Sequence, residues 1–230
     1  MTSPKNNLVK EYNVEGAPIC IFDLSDCSDK LTVEEYNALI LQFNTQNQIT
    51  SREQFGVITS EGTNFLEHEK FKRLVELFNT YQEFFSKEIV GINNQFTMVH
   101  SWMTKNTNSS KHHNHVHLNA MISVLYYFNE NLDNYLMANI FFRHKALRNV
   151  FPNHFFKFNN TSIDTKYNND ELDIPIRNHT LLVFPGSLEH GTRESKNTTT
   201  RYCLGTNYFI TGKIGCEDTY TKLTIEIKHE

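Results

Sequence analysis

The sequence predicts an α+β chain whose β part closes as a jelly roll. Three observations predict it. Two amphipathic helical stripes lie before residue 90, the apolar period switches from 3.6 to two near residue 95, and short apolar strands follow one another to the end. With 230 residues, 39% hydrophobic content, 18 Phe and 10 Tyr, the chain can bury a sizeable core as one domain. Residues 1–94 read as a strand and helical support, and residues 95–228 as the β core.

Residues 1–16 are polar and read as a loose tail, and Pro18 to Leu24 as a first strand. Thr32-Val33-Glu34-Glu35 is a capping box, in which the Thr oxygen accepts from the Glu35 amide while Glu35 reaches back. Tyr36, Leu39, Ile40 and Phe43 then fall on one helical face. Residues 49–66 are turn-rich, with a short strand expected at Phe55 to Ile58. Phe71, Leu74, Val75, Phe78, Tyr81 and Phe85 keep helical spacing in a second helix from about Leu66 to Ile89, which Gly91 stops. Both helices are expected to cover one face of a sheet.

From residue 95, Phe96, Met98, His100 and Trp102 alternate with Thr97, Val99, Ser101 and Met103 as in a half-buried strand. Further strands are expected at Ala120 to Phe128, Tyr135 to Phe142, Thr180 to Phe184, Arg201 to Ile210 and Tyr220 to Ile227. Residues 144–171 are polar and read as a long irregular excursion of the functional kind. There is no internal repeat.

Bulk chemistry excludes several classes. A net charge of −4 leaves no basic footprint for nucleic acid. No apolar run approaches the ~18 residues of a membrane span. Cys20, Cys27, Cys203 and Cys216 lack CxxC spacing, and the chain shows no secretory leader. They are expected to be reduced thiols in a cytoplasmic protein, in a host cytoplasm if the source is viral. Abundant Asn, Lys, Ile and Phe suggest an AT-rich coding genome.

The run Lys111-His112-His113-Asn114-His115-Val116-His117-Leu118-Asn119 carries the chemistry. If it is extended, His113, His115 and His117 share a face, and converging imidazoles suit a borderline-soft metal rather than calcium or magnesium. The plain alternative is a solvated loop with chance histidines. A second segment, Leu181 to Phe184 followed by Pro185-Gly186-Ser187-Leu188-Glu189-His190 and then Arg201, supplies a further imidazole and a cation.

Together these segments resemble the Fe(II)/2-oxoglutarate-dependent oxygenases, and more closely the phage- and bacteria-associated, prolyl-hydroxylase-like branch. In that branch a Ser-Trp strand precedes an H-x-H-x-N loop and an S-G-V-Y-Y-like strand, and an F-P-S-x-L-x-H segment comes before an Arg and a strand ending in Asn. Here the matching residues are Ser101-Trp102, His115-Val116-His117-Leu118-Asn119, Ser123-Val124-Leu125-Tyr126-Tyr127, Phe184 to His190, Arg201 and Asn207. The similarity spans roughly residues 95–210. It implies a double-stranded β-helix core with two N-terminal helices packed on one sheet, an Fe(II) cofactor, and 2-oxoglutarate and dioxygen as cosubstrates. Oxidative decarboxylation of 2-oxoglutarate to succinate and carbon dioxide would be coupled to hydroxylation of a substrate the sequence does not identify.

The resemblance also implies site residues. The metal ligands are expected to be His115, His117 and His190, with the Pro185-Gly186 turn aiming the last. Arg201 is expected to pair the distal carboxylate of 2-oxoglutarate bidentately. Tyr126 or Tyr127 would assist; neighbours on a strand face opposite ways, so only one of them can enter the pocket, and Tyr127 is preferred. Asn207 is grouped with these cosubstrate residues. The usual acid two residues after the first ligand is replaced by His117. Asn119 in a register shifted by two, or Asp133 or Glu189, are the alternative oxygen donors, although Glu189 should point away from His190. A histidine at the acid position fills the space a halide would need, so hydroxylation is expected over halogenation. Val124 stands where the branch has Gly, without an interpretation. Two other readings stay open: a cupin-type three-histidine metalloenzyme without 2-oxoglutarate, and a non-catalytic jelly-roll binding or viral structural module.

Overall fold

The computed structural model describes residues 3–14, 16–50, 55–107, 109–131, 136–143, 169–196, 199–216 and 221–227. The element order is α1 (Pro4–Asn7), β1 (Leu8–Val14), β2 (Ala17–Asp23), α2 (Val33–Thr45), β3 (Gln48–Ile49), β4 (Val57–Ser60), α3 (Lys72–Phe84), β5 (Gln95–Asn106), β6 (Ile122–Asn129), β7 (Leu136–Arg143), β8 (Glu171–Arg177), β9 (Thr180–Pro185), β10 (His190–Thr192), β11 (Arg201–Ile214) and β12 (Leu223–Ile225). A large antiparallel sheet runs β1-β2-β9-β6-β11-β5-β4-β3, with β12 added to β11, and a three-stranded sheet runs β10-β7-β8. Helices, large sheet and small sheet form three layers with a core on each side of the large sheet.

The helix-side core takes Leu39 and Phe43 from α2, Leu74, Phe78 and Tyr81 from α3, and Val124, Tyr126 and Phe128 from β6. Each such buried Phe or Leu stabilises the fold by about 1.5–3 kcal/mol relative to exposure. The core between the sheets takes Leu125 and Tyr127 from the other face of β6, with Ile140, Phe142, Ile174, Ile176, Leu182 and Phe184. Strand β6 is therefore buried on both faces, which its near-continuous apolar run requires.

The capping box of α2 forms as expected: Thr32 Oγ1 accepts from the Glu35 amide at 3.2 Å and Glu35 Oε2 from the Thr32 amide at 3.0 Å. The same Glu35 accepts from Arg73 Nε at 2.6 Å, which ties α2 to α3. The second helical segment is not uniform. A 3₁₀ turn at Glu69–Phe71 leads into α3, and a π turn at Phe85–Ile89 follows it, where burial of Gln82 and Ser86 replaces the apolar period. Gly91, at φ 79°, ends the segment as expected.

Several expectations are corrected. The supposed tail holds α1 and β1; β1 pairs with β2 along its length although its outward residues are polar, because an edge strand is held by its backbone. The strand expected from Phe55 begins instead at Val57. On β5 the simple alternation fails. His100 faces Asn207 but Met98 faces Tyr208, so Val99 is a bulge and the faces exchange there. Phe96, Met98 and Met103 consequently pack on the helix side, and Trp102 between the sheets. Of the excursion, residues 144–168 lie outside the described residues, as does Asp133. Residues 171–177 form strand β8, whose Ile174 and Ile176 alternate into the core. His190, expected in a turn, opens strand β10.

Candidate metal centre

The histidine run is not a strand; it is an irregular loop held antiparallel to the segment that carries His190. His115 and His190 exchange both backbone hydrogen bonds, at 2.9 and 3.0 Å. The His117 amide donates to the Gly186 carbonyl at 2.9 Å, and the Thr192 amide to the His112 carbonyl at 3.1 Å. A Cβ on Gly186 would sit 2.7 Å from the Ala120 carbonyl oxygen, so only glycine permits this approach. Two segments about 70 residues apart in sequence are thereby zipped into one site.

His115, His117 and His190 each bring a ring nitrogen to one point, all within 4.8 Å of one another. Every Nδ1 is already engaged. His190 Nδ1 lies 2.8 Å from the Leu188 carbonyl and His115 Nδ1 2.9 Å from the His113 carbonyl. His117 Nδ1 lies 2.9 Å from Asn207 Oδ1 and 2.7 Å from Ser123 Oγ, which itself donates to Asn207. A carbonyl oxygen can only accept, so each Nδ1 carries the proton and each Nε2 keeps a free lone pair. Burial pushes the His117 pKa down to about 3 and the His190 pKa well below the ordinary histidine range, so the rings are neutral and ready to ligate. Three imidazole nitrogens on one side of a point fit a ferrous ion and leave positions open for a bidentate 2-oxo acid and dioxygen.

A narrow cavity of about 50 Å³ runs from the triad between the sheets, walled by Trp102, Tyr127, Ile140, Cys203 and Arg201. Of alternate residues on β11, Arg201 and Cys203 line it, Gly205 faces Trp102 and Asn207 reaches His117, while Tyr202 and Leu204 enter the helix-side core. Gly205 is required, because a Cβ there would sit 2.4 Å from the Trp102 ring. That ring meets His117 edge-on at 5.2 Å. Arg201 is 4% exposed. Its Nη1 donates to the Ala138 carbonyl at 3.0 Å and its guanidinium lies 5.5 Å from the Tyr127 ring. Its buried Nε has no partner, and burial lowers its pKa. An uncompensated buried cation facing a cavity suits a carboxylate.

The placement of the other expected residues is mixed. Tyr127 lines the cavity, whereas Tyr126 points into the helix-side core, where its hydroxyl meets the Leu31 amide and His179 Nδ1. Asn207 reaches His117 rather than the Arg201 end. Asn119 is exposed at a turn with φ 59°, and Glu189 pairs with Arg143 at 3.1 Å, away from His190. His113 is outside the triad; His112 lies against His115 instead, Nδ1 to Nδ1 at 3.1 Å, and lines the cavity. Strand parity concealed His112 in the sequence, because the loop is not extended. A wider cleft of about 320 Å³ opens on the other side of His115 and His117, lined by Thr59, Thr63, His100 and Thr104.

The family model described as "putative 2OG-Fe(II) oxygenase" matches residues 100–207, the segment that carries the whole triad and Arg201. That segment, a little under half of the chain, is similar to the 2OG-Fe(II) oxygenases. Members of that family are enzymes that take Fe(II) as cofactor and 2-oxoglutarate and dioxygen as cosubstrates. No curated protein matches it in sequence. Among solved structures it is similar to a Trichoplax adhaerens prolyl hydroxylase in complex with a hypoxia inducible factor oxygen degradation domain peptide fragment, at 13% identity, 83% of each chain and TM-score 0.53. It is also similar to a 2OG-Fe(II) oxygenase family oxidoreductase from Burkholderia pseudomallei, at 10% identity, 83% of each chain and TM-score 0.52. A Pseudomonas putida prolyl-4-hydroxylase matches at 11% identity over 84% of this chain and 93% of that one, with TM-score 0.52. At such identities the likeness concerns the fold alone, a double-stranded β-helix with helical support. Among the described residues no helix is long and apolar enough to cross a membrane.

Proposed function

We propose that His115, His117 and His190 hold Fe(II) through Nε2, that Arg201 binds the distal carboxylate of 2-oxoglutarate, and that the product is a hydroxylated organic substrate. One observation carries this: three neutral histidines with occupied Nδ1 atoms share a cavity with a buried guanidinium that has no carboxylate partner among the described residues.

Iron with 2-oxoglutarate supplies the oxidative decarboxylation that activates dioxygen. The chain's own residues do the rest. Asn207 and Ser123 fix the His117 ring, and the Leu188 and His113 carbonyls fix the other two. Arg201 exchanges its contact with the Ala138 carbonyl for the carboxylate, and the Tyr127 hydroxyl on the same wall turns to assist. The cavity has room for only a few waters, so its apolar walls part as the cosubstrate arrives. Once closed, Trp102, Ile140 and Leu125 exclude water and strengthen the Arg201 pair. The ligand set proposed is three histidines. The whole of residues 1–230 is proposed as one oxygenase domain, with β1, β2 and β4 in the same sheet as the core strands. A reducing, cytoplasmic setting is supported by the buried thiols Cys20 and Cys203.

The test is anaerobic addition of Fe(II) and 2-oxoglutarate with visible absorption. A weak charge-transfer band in the green, lost in His190→Ala, is expected. Iron binding without the band would favour a three-histidine cupin chemistry; no iron binding would remove the metal site.

A further inference from the structure

The substrate side of the metal centre is not a closed pocket. The cleft beside His115 and His117 shares Thr63 and His100 with a second cavity of about 240 Å³. That one shares Val75 and Met98 with a third of about 590 Å³ beneath α3. The three adjoin one another through these shared residues, in a row (the groove) that runs from the metal ligands to Asn94 and Gln95.

The floor of this groove is a strand edge. The second cavity is lined by Met98, Val99, His100 and Ser101, and the third by Gln95, Phe96, Thr97 and Met98. Consecutive residues alternate between the faces of a strand, so a cavity touching all of them looks onto its edge. On that edge β4 pairs with β5 only at Thr104 to Asn106, and residues 63–65 close onto Ser101. Among the described residues no strand pairs with β5 there on the N-terminal side of Ser101. Long open edges invite unwanted pairing and are normally blunted. Here the edge faces polar side chains of α3 and its π turn, including Asn79, Gln82 and Ser86. Among the described residues the one lysine of the third cavity, Lys87, is paired with Glu83, and none lines the groove as a free cation for a phosphate backbone.

We propose that the primary substrate is a polypeptide segment that adds as an extended strand to this edge of β5 and delivers one side chain to the metal. This rests on the oxygenase reading above. Backbone amides and carbonyls are the chemistry an open strand edge recognises, and neutral amide side chains fit a segment of varied sequence. From Gln95 to His100 the edge accommodates about 17 Å of extended chain, roughly five residues. The Val99 bulge lies within this edge, next to the His100 end that adjoins the metal cleft.

The test uses Fe(II)- and 2-oxoglutarate-loaded enzyme against an array of synthetic randomised dodecapeptides, with the strongest binders measured in solution by fluorescence anisotropy. Peptides that gain 16 Da during turnover are expected among them. N-methylation of alternate peptide backbone amides should weaken binding at least ~10-fold, as should Gln95→Trp or Lys87→Trp, with the charge-transfer band unchanged. The proposal is overturned if the band is present yet no peptide binds, or if binding ignores both groove-filling variants and N-methylation. A mixed-sequence single-stranded oligonucleotide that binds and is oxidised in place of peptides would also overturn it. Peptide binding without the band would instead sink the oxygenase reading and leave the groove assignment standing.

Discussion

Two arginines near the ligand loops contact neighbouring residues of β7, and the fold treats them oppositely. Arg193, at the exposed edge of the small sheet, is bound bidentately by Asp173 at 2.8 and 2.8 Å, reached by Glu171 at 2.7 Å, and lies over the Phe141 ring at 4.2 Å. Its neighbouring carboxylates raise its pKa. Arg201, deep between the sheets, holds a single hydrogen bond to the Ala138 carbonyl, keeps an unpartnered Nε, and has a lowered pKa. A cation that only braces a sheet edge is given its carboxylates by the chain. A buried cation without one, within a cavity that also holds three converging histidines, is placed for an anion brought from outside.

The comparison can be broken by substitution, in descending order of effect. His190→Ala should abolish stoichiometric Fe(II) binding and the charge-transfer band; retention of both would remove His190 from the ligand set. Arg201→Ala should weaken 2-oxoglutarate binding by at least ~100-fold, since an unpaired buried charge costs about 3–5 kcal/mol. Unchanged affinity in isothermal titration would make Arg201 a structural arginine like Arg193. Asn207→Ala should lower metal affinity by roughly 10–100-fold, the usual cost of losing a partner that orients a ligand, and chelator competition would measure it. Arg193→Ala should change cosubstrate affinity by less than about twofold and stability by at most ~1 kcal/mol, because its pair is exposed.

Acid sharpens the same contrast. His112 and His117 have folded pKa values pushed down to about 3 by burial, against an ordinary value of 6.5. The unfolded chain therefore takes up protons first. Stability is full above about pH 6.5 and is lost as pH falls from there toward 3. Urea denaturation of the metal-free protein at pH 7 and pH 5 should show this, while Arg193 stays charged throughout.

Much of this was legible in the sequence. The Thr32 capping box, the stripe through Leu74, Phe78 and Tyr81, and the change from helix to strand near Gln95 each depend on neighbours close in sequence, so local chemistry fixed them. That His115, His117 and His190 come together in one cavity with Arg201 was legible because their order and spacing resemble a family pattern. What was missed is instructive. Strand β1 was hidden because edge pairing needs no apolar pattern, and β8 because it lies beside an Asn- and Asp-rich stretch. The Val99 bulge was hidden because it exists only against β11.

The sequence by itself determined the layers, since periods of 3.6 and two decide which faces of helix and strand must be buried. It also supplied the donor chemistry, because residue type fixes which atoms can ligate or pair. Only tertiary structure decided which histidines converge, because backbone bonds between the 112–117 loop and the 186–192 segment set ring positions that no local period encodes. The same holds for Tyr127 over Tyr126: β6 is buried on both faces, so alternation alone leaves both candidates open, and the helices on one side and the histidine-lined cavity on the other choose between them.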